Sequence, residues 1–411
     1  MYQQMLLKET IHTVAKKQFN LINEKETGTL RNLLKQLDFS SSHVIIITGI
    51  RRCGKSTLLL QIIKQEQKFA FFNFEDQRVF GFDITDFKRL EEIFDKYENN
   101  NILFLDEIQN VQGWERYIRT RQDQGIKFVI TGSNASLLSK ELGTKLTGRH
   151  ISKELFPFSY KEFLNFTNQT ANIESFNKYF EKGGFPEFLK NNNIEIHQQL
   201  LEDIIIRDII ARYGLKNSKK IKELAIYLIS NTAKEFSYNN LTKLFEFGSV
   251  NSVVSYISYF EDSYLLFTVP KFSYSIKKQI FNPKKIYAID VGFVKANSIS
   301  FSKDSGRLLE NVVFLHLRQN KLNIFYFKEK NECDFIIKYK NKYSAIQVCY
   351  KLTEENQNRE IKGLQEAMEN IKVNNGLILT HNQEDEFVLN QKRIIVTSVW
   401  KWLSKNSDYS K

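Results

Sequence analysis

The residues best suited to chemistry begin at Gly49-Ile50-Arg51-Arg52-Cys53-Gly54-Lys55-Ser56, directly after the apolar run Val44-Ile45-Ile46-Ile47. Thr57-Leu58-Leu59-Leu60 follows and reads as the start of a helix. A buried strand, a glycine-rich turn and a helix in that order make a phosphate-binding P-loop. Gly49 and Gly54 let backbone N–H groups close on a phosphate with no Cβ in the way. The helix N-terminus adds a field that favours anions. Lys55 can neutralise the β/γ-phosphates, and the Ser56 hydroxyl can ligate Mg²⁺. Gly49, Ile50, Arg51, Arg52, Cys53, Gly54, Lys55, Ser56 and Thr57 are therefore the expected nucleotide-binding residues.

A second run, Ile102-Leu103-Phe104-Leu105-Asp106-Glu107, is another buried strand, and it ends in two carboxylates. Asp106 is placed to hold the Mg²⁺ shell opposite Ser56. Glu107, one residue on, is the natural base or orienter for an attacking water. A third strand ends Ile130-Thr131-Gly132-Ser133-Asn134. In a doubly wound sheet its polar end lies between the other two, so Ser133 or Asn134 can touch the γ-phosphate or the water. Arg149 follows, in a chain that uses 15 Arg against 44 Lys. It is a candidate stabiliser of transition-state charge, with a structural ion pair as the alternative.

These elements occur in a specific order with Phe74-Glu75-Asp76-Gln77-Arg78, Phe156-Pro157-Phe158-Ser159-Tyr160-Lys161-Glu162-Phe163 and Gly183-Gly184-Phe185-Pro186-Glu187. Together they resemble the prokaryotic AAA-type ATPases that carry a C-terminal nuclease-like domain of unknown function. The resemblance implies ATP as nucleotide, a parallel α/β P-loop NTPase core and a helical lid. GTP is disfavoured on separate grounds, since no Asn-Lys-x-Asp run is present.

At 411 residues the chain has room for two or three domains. No stretch reaches 18 apolar residues, and the N-terminus lacks a signal-peptide pattern, so a cytoplasmic protein without a membrane span is expected. Cys53, Cys333 and Cys349 form no CxxC pair, which argues against a disulfide framework or a zinc site. The formal net charge of +12 is carried by lysine in a chain also rich in Asn, Ile and Phe. Two clusters stand out: Lys216, Lys219, Lys220 and Lys222, then Lys271, Lys277, Lys278, Lys284 and Lys285 in a stretch without an acid. Either could follow a DNA backbone. A protein partner or a homo-oligomer is the other expectation.

Periodicity organises the remainder. Residues 1–40 read as a helical segment with Leu30, Leu33, Leu34 and Leu37 as an apolar stripe. The ATPase core spans 41–152 and a helical lid 153–215, where Ile204 to Tyr213 is the densest apolar helix. Residues 216–270 suggest a winged-helix-like module, although its candidate recognition helix from Val250 to Ile257 carries no Arg or Lys. Residues 271–411 resemble a restriction-endonuclease-like α/β domain. Such a site needs a helix acid, a strand aspartate and an acid-x-lysine, which Glu310, Asp334 and Gln347-Val348-Cys349 meet only in part. Lys351 is the one displaced lysine able to replace the missing cation. A degenerate nuclease domain, kept for binding or assembly, is the expected outcome.

Overall fold

In β1 (Val44–Thr48) five successive β-branched residues are buried, which suits an inner parallel strand covered on both faces. The computed structural model describes residues 6–66, 68–95, 102–133, 148–299 and 304–405, divided into units Met1–Leu155 and Phe156–Lys411. In the first unit β1 lies in a parallel sheet with β2 (Ala70–Asn73), β3 (Ile102–Asp106), β4 (Lys127–Gly132) and β5 (His150–Glu154). The order is β2-β3-β4-β1-β5. β4 thus separates β1 from β3, and Thr131 at its C-terminal end follows the Leu105–Ile130 pair. The P-loop NTPase sheet inferred from the apolar runs is the one observed.

Helices α1 (Lys8–Glu24), α2 (Lys55–Ile63), α3 (Asp86–Phe94) and α4 (Trp114–Gln122) complete this unit. α1 is part of it rather than a separate segment. Its Gln18 amide donates to Asn73 O at 3.1 Å and accepts from Asn73 N at 2.8 Å, finishing the outer edge of β2. An aromatic cluster of Phe72, Phe74, Phe82 and Phe87 packs beneath, with Phe87 stacked on Tyr117 at 3.8 Å. The expected leucine stripe does not form a helix of its own. Only a 3₁₀ segment, Asn32–Gln36, appears there, with Leu30 exposed. Isolated short helices have little stability without a face to bury.

The second unit opens with α5 (Tyr160–Thr167), α6 (Ile173–Lys182), α7 (Pro186–Asn191) and α8 (Glu195–Asp203). Ser159 and Glu162 form a reciprocal capping box on α5, which explains the Ser-x-x-Glu of the Phe-Pro-Phe-Ser motif. The apolar run after α8 is a π-helix, Ile204–Ala211, instead of the expected α-helix. There follow α9 (Ser218–Ser230), β6 (Glu235–Phe236), α10 (Tyr238–Leu244), α11 (Val250–Asp262), β7 (Leu266–Pro270), α12 (Ile276–Phe281) and β8 (Lys284–Ala288). These strands form a sheet ordered β6-β8-β7, so the third strand lies past the expected boundary at 270.

Then come α13 (Val291–Asn297), α14 (Ser305–Gln319), β9 (Asn323–Lys328), β10 (Glu332–Tyr339), β11 (Lys342–Cys349), α15 (Gln357–Asn370), β12 (Asn375–Thr380), β13 (Asp385–Leu389), β14 (Lys392–Ser398) and α16 (Val399–Ser404). The sheet runs β13-β14-β12-β11-β10-β9, with β9, β10 and β11 an antiparallel meander and β11, β12 and β14 parallel.

The Gly-Gly-Phe-Pro-Glu motif is a packing joint. A Cβ on Gly184 would lie 2.2 Å from Phe158 O, and one on Gly183 2.0 Å from Asp290 Oδ1. Asp290 accepts from Gly184 N at 2.7 Å and Phe293 N at 2.9 Å, capping α13. Burial pushes its carboxyl up to about 6 even against those backbone donors.

Candidate nucleotide site

The loop between β1 and α2 turns through two glycines with positive φ. Gly49 has no room for a side chain, because a Cβ there would lie 2.1 Å from Leu155 O. Gly54, with φ 101°, is the cap from which α2 starts. Lys55 is buried, and its ammonium donates to Gly49 O at 3.1 Å and Ile50 O at 3.2 Å. It stands 3.7 Å from Glu107 Oε1. Arg51 pairs with Glu75 at 3.1 Å, joining the loop to a residue of the Phe-Glu-Asp-Gln-Arg motif. The Cys53 thiol faces inward to Leu155 O at 3.3 Å, and burial raises its pKa. Only the backbone of Cys53 can serve a ligand.

Asp106 ends β3 and is buried. Burial first, then the neighbouring Glu107, pushes its carboxyl up to about 6, against hydrogen bonds from Thr131 and Ser56 and the charge of Lys55. Asn73 Nδ2 donates to its other oxygen at 3.3 Å. Glu107 adopts a left-handed conformation with φ 53°, uncommon for a residue with a side chain. Its N–H donates to Thr131 Oγ1 at 3.1 Å, and Gln109 donates to its carboxylate. Ser133 at the end of β4 is buried, with no hydrogen-bond partner for its Oγ among the described residues.

Sequence reasoning missed three supporting residues. Thr131 bridges the Asp106 carboxylate and the Glu107 backbone. Arg31 is buried and donates to Cys53 O at 2.7 Å, holding the loop from outside the motif. Gln61 on α2 accepts from Arg31 N and donates to Thr27 O and Thr29 O, fixing the segment that carries Arg31. The threonine at a polar strand end was a legible signal; the other two had none.

One expected member is not described and another is not brought to the site. Asn134 lies outside the described residues. Arg149 precedes β5 at the end of the sheet where β1 begins: its carbonyl accepts from Val44 N at 3.0 Å and its guanidinium pairs with Asp123. β1 runs five residues from there to the P-loop, about 17 Å at strand rise. Arg149 therefore sits in a surface ion pair away from Lys55 of its own chain.

In the second unit Glu310 and Asp334 do converge, but on Lys285, whose ammonium lies 3.0 Å from each. Lys285 is only 2% exposed, which corrects its assignment to a DNA-facing surface. Lys220 is likewise engaged, donating to Phe245 O and Glu246 O, whereas Lys216, Lys219, Lys277 and Lys278 are exposed and Lys284 half-buried. Gln347 is no open oxygen ligand: its amide donates to Glu360 Oε2 at 2.6 Å and its carbonyl accepts from Asp334 N. β11 ends at Cys349, so strand alternation does not carry through to Lys351, which is exposed. The Cys349 thiol is pushed up to about 11, chiefly by burial. Among the described residues no three His, Cys, Asp or Glu side chains converge as a metal-ligand set. No described helix is long and apolar enough to cross a membrane.

Fold and loop together define a AAA-type P-loop NTPase domain, and residues 41–164 match the AAA domain family. Residues 173–303 match a domain of unknown function (DUF8612), and 305–402 another (DUF4143). The whole chain belongs to the family of the uncharacterized protein MJ1544 of Methanocaldococcus jannaschii, to which it is 39% identical over 389 residues, 87% of each chain. An uncharacterized protein of Haemophilus influenzae is 29% identical over 347 residues, 79% of this chain and 87% of that one. Among solved structures, Aeropyrum pernix Orc1 in complex with DNA aligns over 71% of this chain and 92% of its own, at 11% identity and a TM-score of 0.31. So low a score carries no functional weight.

Proposed function

We propose that this protein binds Mg·ATP and hydrolyses it, coupling nucleotide state to its C-terminal modules, which engage DNA. The observation that carries the reading is the meeting of Lys55, Ser56, Asp106 and Glu107 around the C-terminal ends of β1, β3 and β4. The cradle fits a polyphosphate. Its glycine carries no Cβ, its buried ammonium rests on two loop carbonyls, and a buried serine hydroxyl, Ser133, ends the strand between β1 and β3. Ser56 and Asp106 would hold Mg²⁺, which supplies charge neutralisation across the phosphates. Lys55 would turn from its loop carbonyls to the β/γ-phosphates. Glu107 would accept the proton of the attacking water, held in place by Thr131 and Gln109.

Asp106 gives this reading a pH signature. A carboxyl raised to about 6 is protonated below that pH, and a proton competes with the metal. The Mg²⁺-dependent part of ATP affinity is expected to fall by up to about tenfold per pH unit below 6. Titration of a fluorescent ATP analogue with and without Mg²⁺ measures this. A Mg²⁺ contribution that is flat down to pH 5, or that persists in Asp106→Asn, removes Asp106 from the metal shell.

The DNA reading is supported by topology and charge. Helix, strand, two helices, strand, short helix and strand over residues 218–288, with sheet order β6-β8-β7, support a winged-helix reading. The exposed positions Val250, Asn251 and Val254 of α11 carry no charge, so the helix that ordinarily reads bases is unsuited to phosphates. Exposed Lys277 and Lys278 sit on α12 between β7 and β8, beside exposed Tyr274, Ile276, Ile280 and Phe281. Contact through this wing is the form of engagement we favour. Steady-state ATP hydrolysis with and without duplex DNA at low salt tests the coupling, with Lys277→Glu/Lys278→Glu as the variant. DNA-stimulated turnover is expected in the parent. The variant should lose DNA affinity and flatten the log–log salt slope by about two. A parent that binds no DNA at low salt points to a protein partner instead.

A further inference from the structure

Lys285 and Tyr287 are two apart on β8 and so share one face of the strand, as do Glu332 and Asp334 on β10. Those faces meet around Glu310 of α14. The Lys285 ammonium lies 3.0 Å from Glu310 Oε1, 3.0 Å from Asp334 Oδ1 and 2.7 Å from Glu332 Oε1. An ammonium has three N–H donors, and here three carboxyls receive them. Three further groups bond the same acids. Tyr287 OH donates to Glu310 Oε1 at 2.6 Å, Val348 N to Asp334 Oδ2 at 3.0 Å, and Lys328 pairs with Glu332 Oε2 at 3.3 Å.

We propose that Lys285 is the resident cation of this pocket, standing where a nuclease-like site would hold its divalent metal, and that the native pocket takes up no metal. The inference is independent of the ATPase reading, since none of these residues belongs to the P-loop. Three observations carry it. The ammonium is all but sealed from solvent, so an incoming ion must displace a group tethered to β8 rather than a water. A Mg²⁺ at its usual distance of about 2.0–2.1 Å from the same oxygens would overlap the ammonium, and it would meet a like charge. The two side chains that could complete a hydrolytic set are elsewhere, Gln347 bonded to Glu360 and Lys351 beyond the strand.

The charges are consistent with a filled pocket. Burial opposes the charge on Lys285, but Glu310 and Asp334 outweigh it and hold the ammonium well above the ordinary lysine value. The surplus negative charge is relieved at Glu310, which burial first and Asp334 second push up to about 8. One cation therefore ties the β6-β8-β7 sheet to α14 and β10, using the acids that would otherwise attract a metal.

Thermal melting with and without Mn²⁺, in the absence of nucleotide, tests the proposal on the full chain. The parent and a Glu310→Gln/Asp334→Asn variant are expected to show the same small Mn²⁺ response. Lys285→Ala should gain a Mn²⁺-dependent rise in melting temperature that vanishes when Glu310→Gln is added. A parent whose Mn²⁺ response is lost in Glu310→Gln/Asp334→Asn overturns the proposal, and so does a folded Lys285→Ala protein that gains no response. Should Lys285→Ala fail to fold, acylation of the parent followed by peptide mass mapping decides between the outcomes. Lys285 is expected to stay unmodified while Lys277 and Lys278 react, and labelling of Lys285 at their rate would refute its burial as the pocket's cation.

Discussion

Glu107→Gln protein is expected to bind Mg·ATP as the parent does and to turn it over at least about a hundredfold more slowly. The substitution keeps the shape of the side chain and leaves Asp106, Ser56 and Lys55 in place, so the binding groups persist. What disappears is the carboxylate beside Lys55 best able to take a proton from water, Asp106 being bonded by Thr131 and Asn73. The backbone at Glu107 already sits in a left-handed conformation, held by the Thr131 hydroxyl. Such a conformation in a non-glycine residue costs energy, and at the end of β3 that cost is understandable if the carboxylate must point at one place. Single-turnover kinetics separate binding from chemistry. Parental turnover in the variant would remove Glu107 from the chemical step.

Lys55→Ala is expected to act on the other quantity, weakening ATP binding by about tenfold or more. A charge-assisted hydrogen bond contributes about 1.5–3 kcal/mol, and the lysine is the chief side-chain counter-charge in the cradle. The same ammonium caps the carbonyls of Gly49 and Ile50, so part of any loss could come from a loosened loop. Melting temperature separates the two effects, since Lys55→Met keeps most of the aliphatic stem but removes both carbonyl bonds as the alanine does. Both variants should lose affinity, and a loosened loop should lower the melting temperature of both. ATP affinity unchanged in both would dismiss the P-loop as the nucleotide site.

The strands of the first unit were legible because burial on both faces leaves unbroken apolar runs, and each of the runs at Val44, Ile102 and Lys127 became a strand. The loop was legible because glycine positions and the lysine are fixed by the ligand's geometry. What the sequence hid were bonds between a side chain and a distant backbone. Arg31 to Cys53 O spans 22 residues and Gln18 to Asn73 spans 55, and no periodicity marks either. The lysine cluster misled for a related reason. Lys284 and Lys285 are neighbours, but strand alternation turns one outward and buries the other among acids far along the chain. The leucines at 30–37 imitated a helical face that has too few residues to fold as one. Arg149 was read from the scarcity of arginine and its place after the third strand, whereas the parallel register puts it beside the start of β1.

The Arg31 clasp and the Gln18 amide also define how much chain the nucleotide domain requires. The AAA domain match begins at residue 41, after both. A fragment cut at that point would keep every motif residue and yet leave Cys53 without its guanidinium support. It would also bare the outer edge of β2, with Asn73 N–H and C=O unmet above a bed of phenylalanines, the kind of open strand on which chains stack into aggregates. The stretch that matches the AAA domain and the unit that packs as one body are therefore different lengths of the same polypeptide, and the latter includes α1.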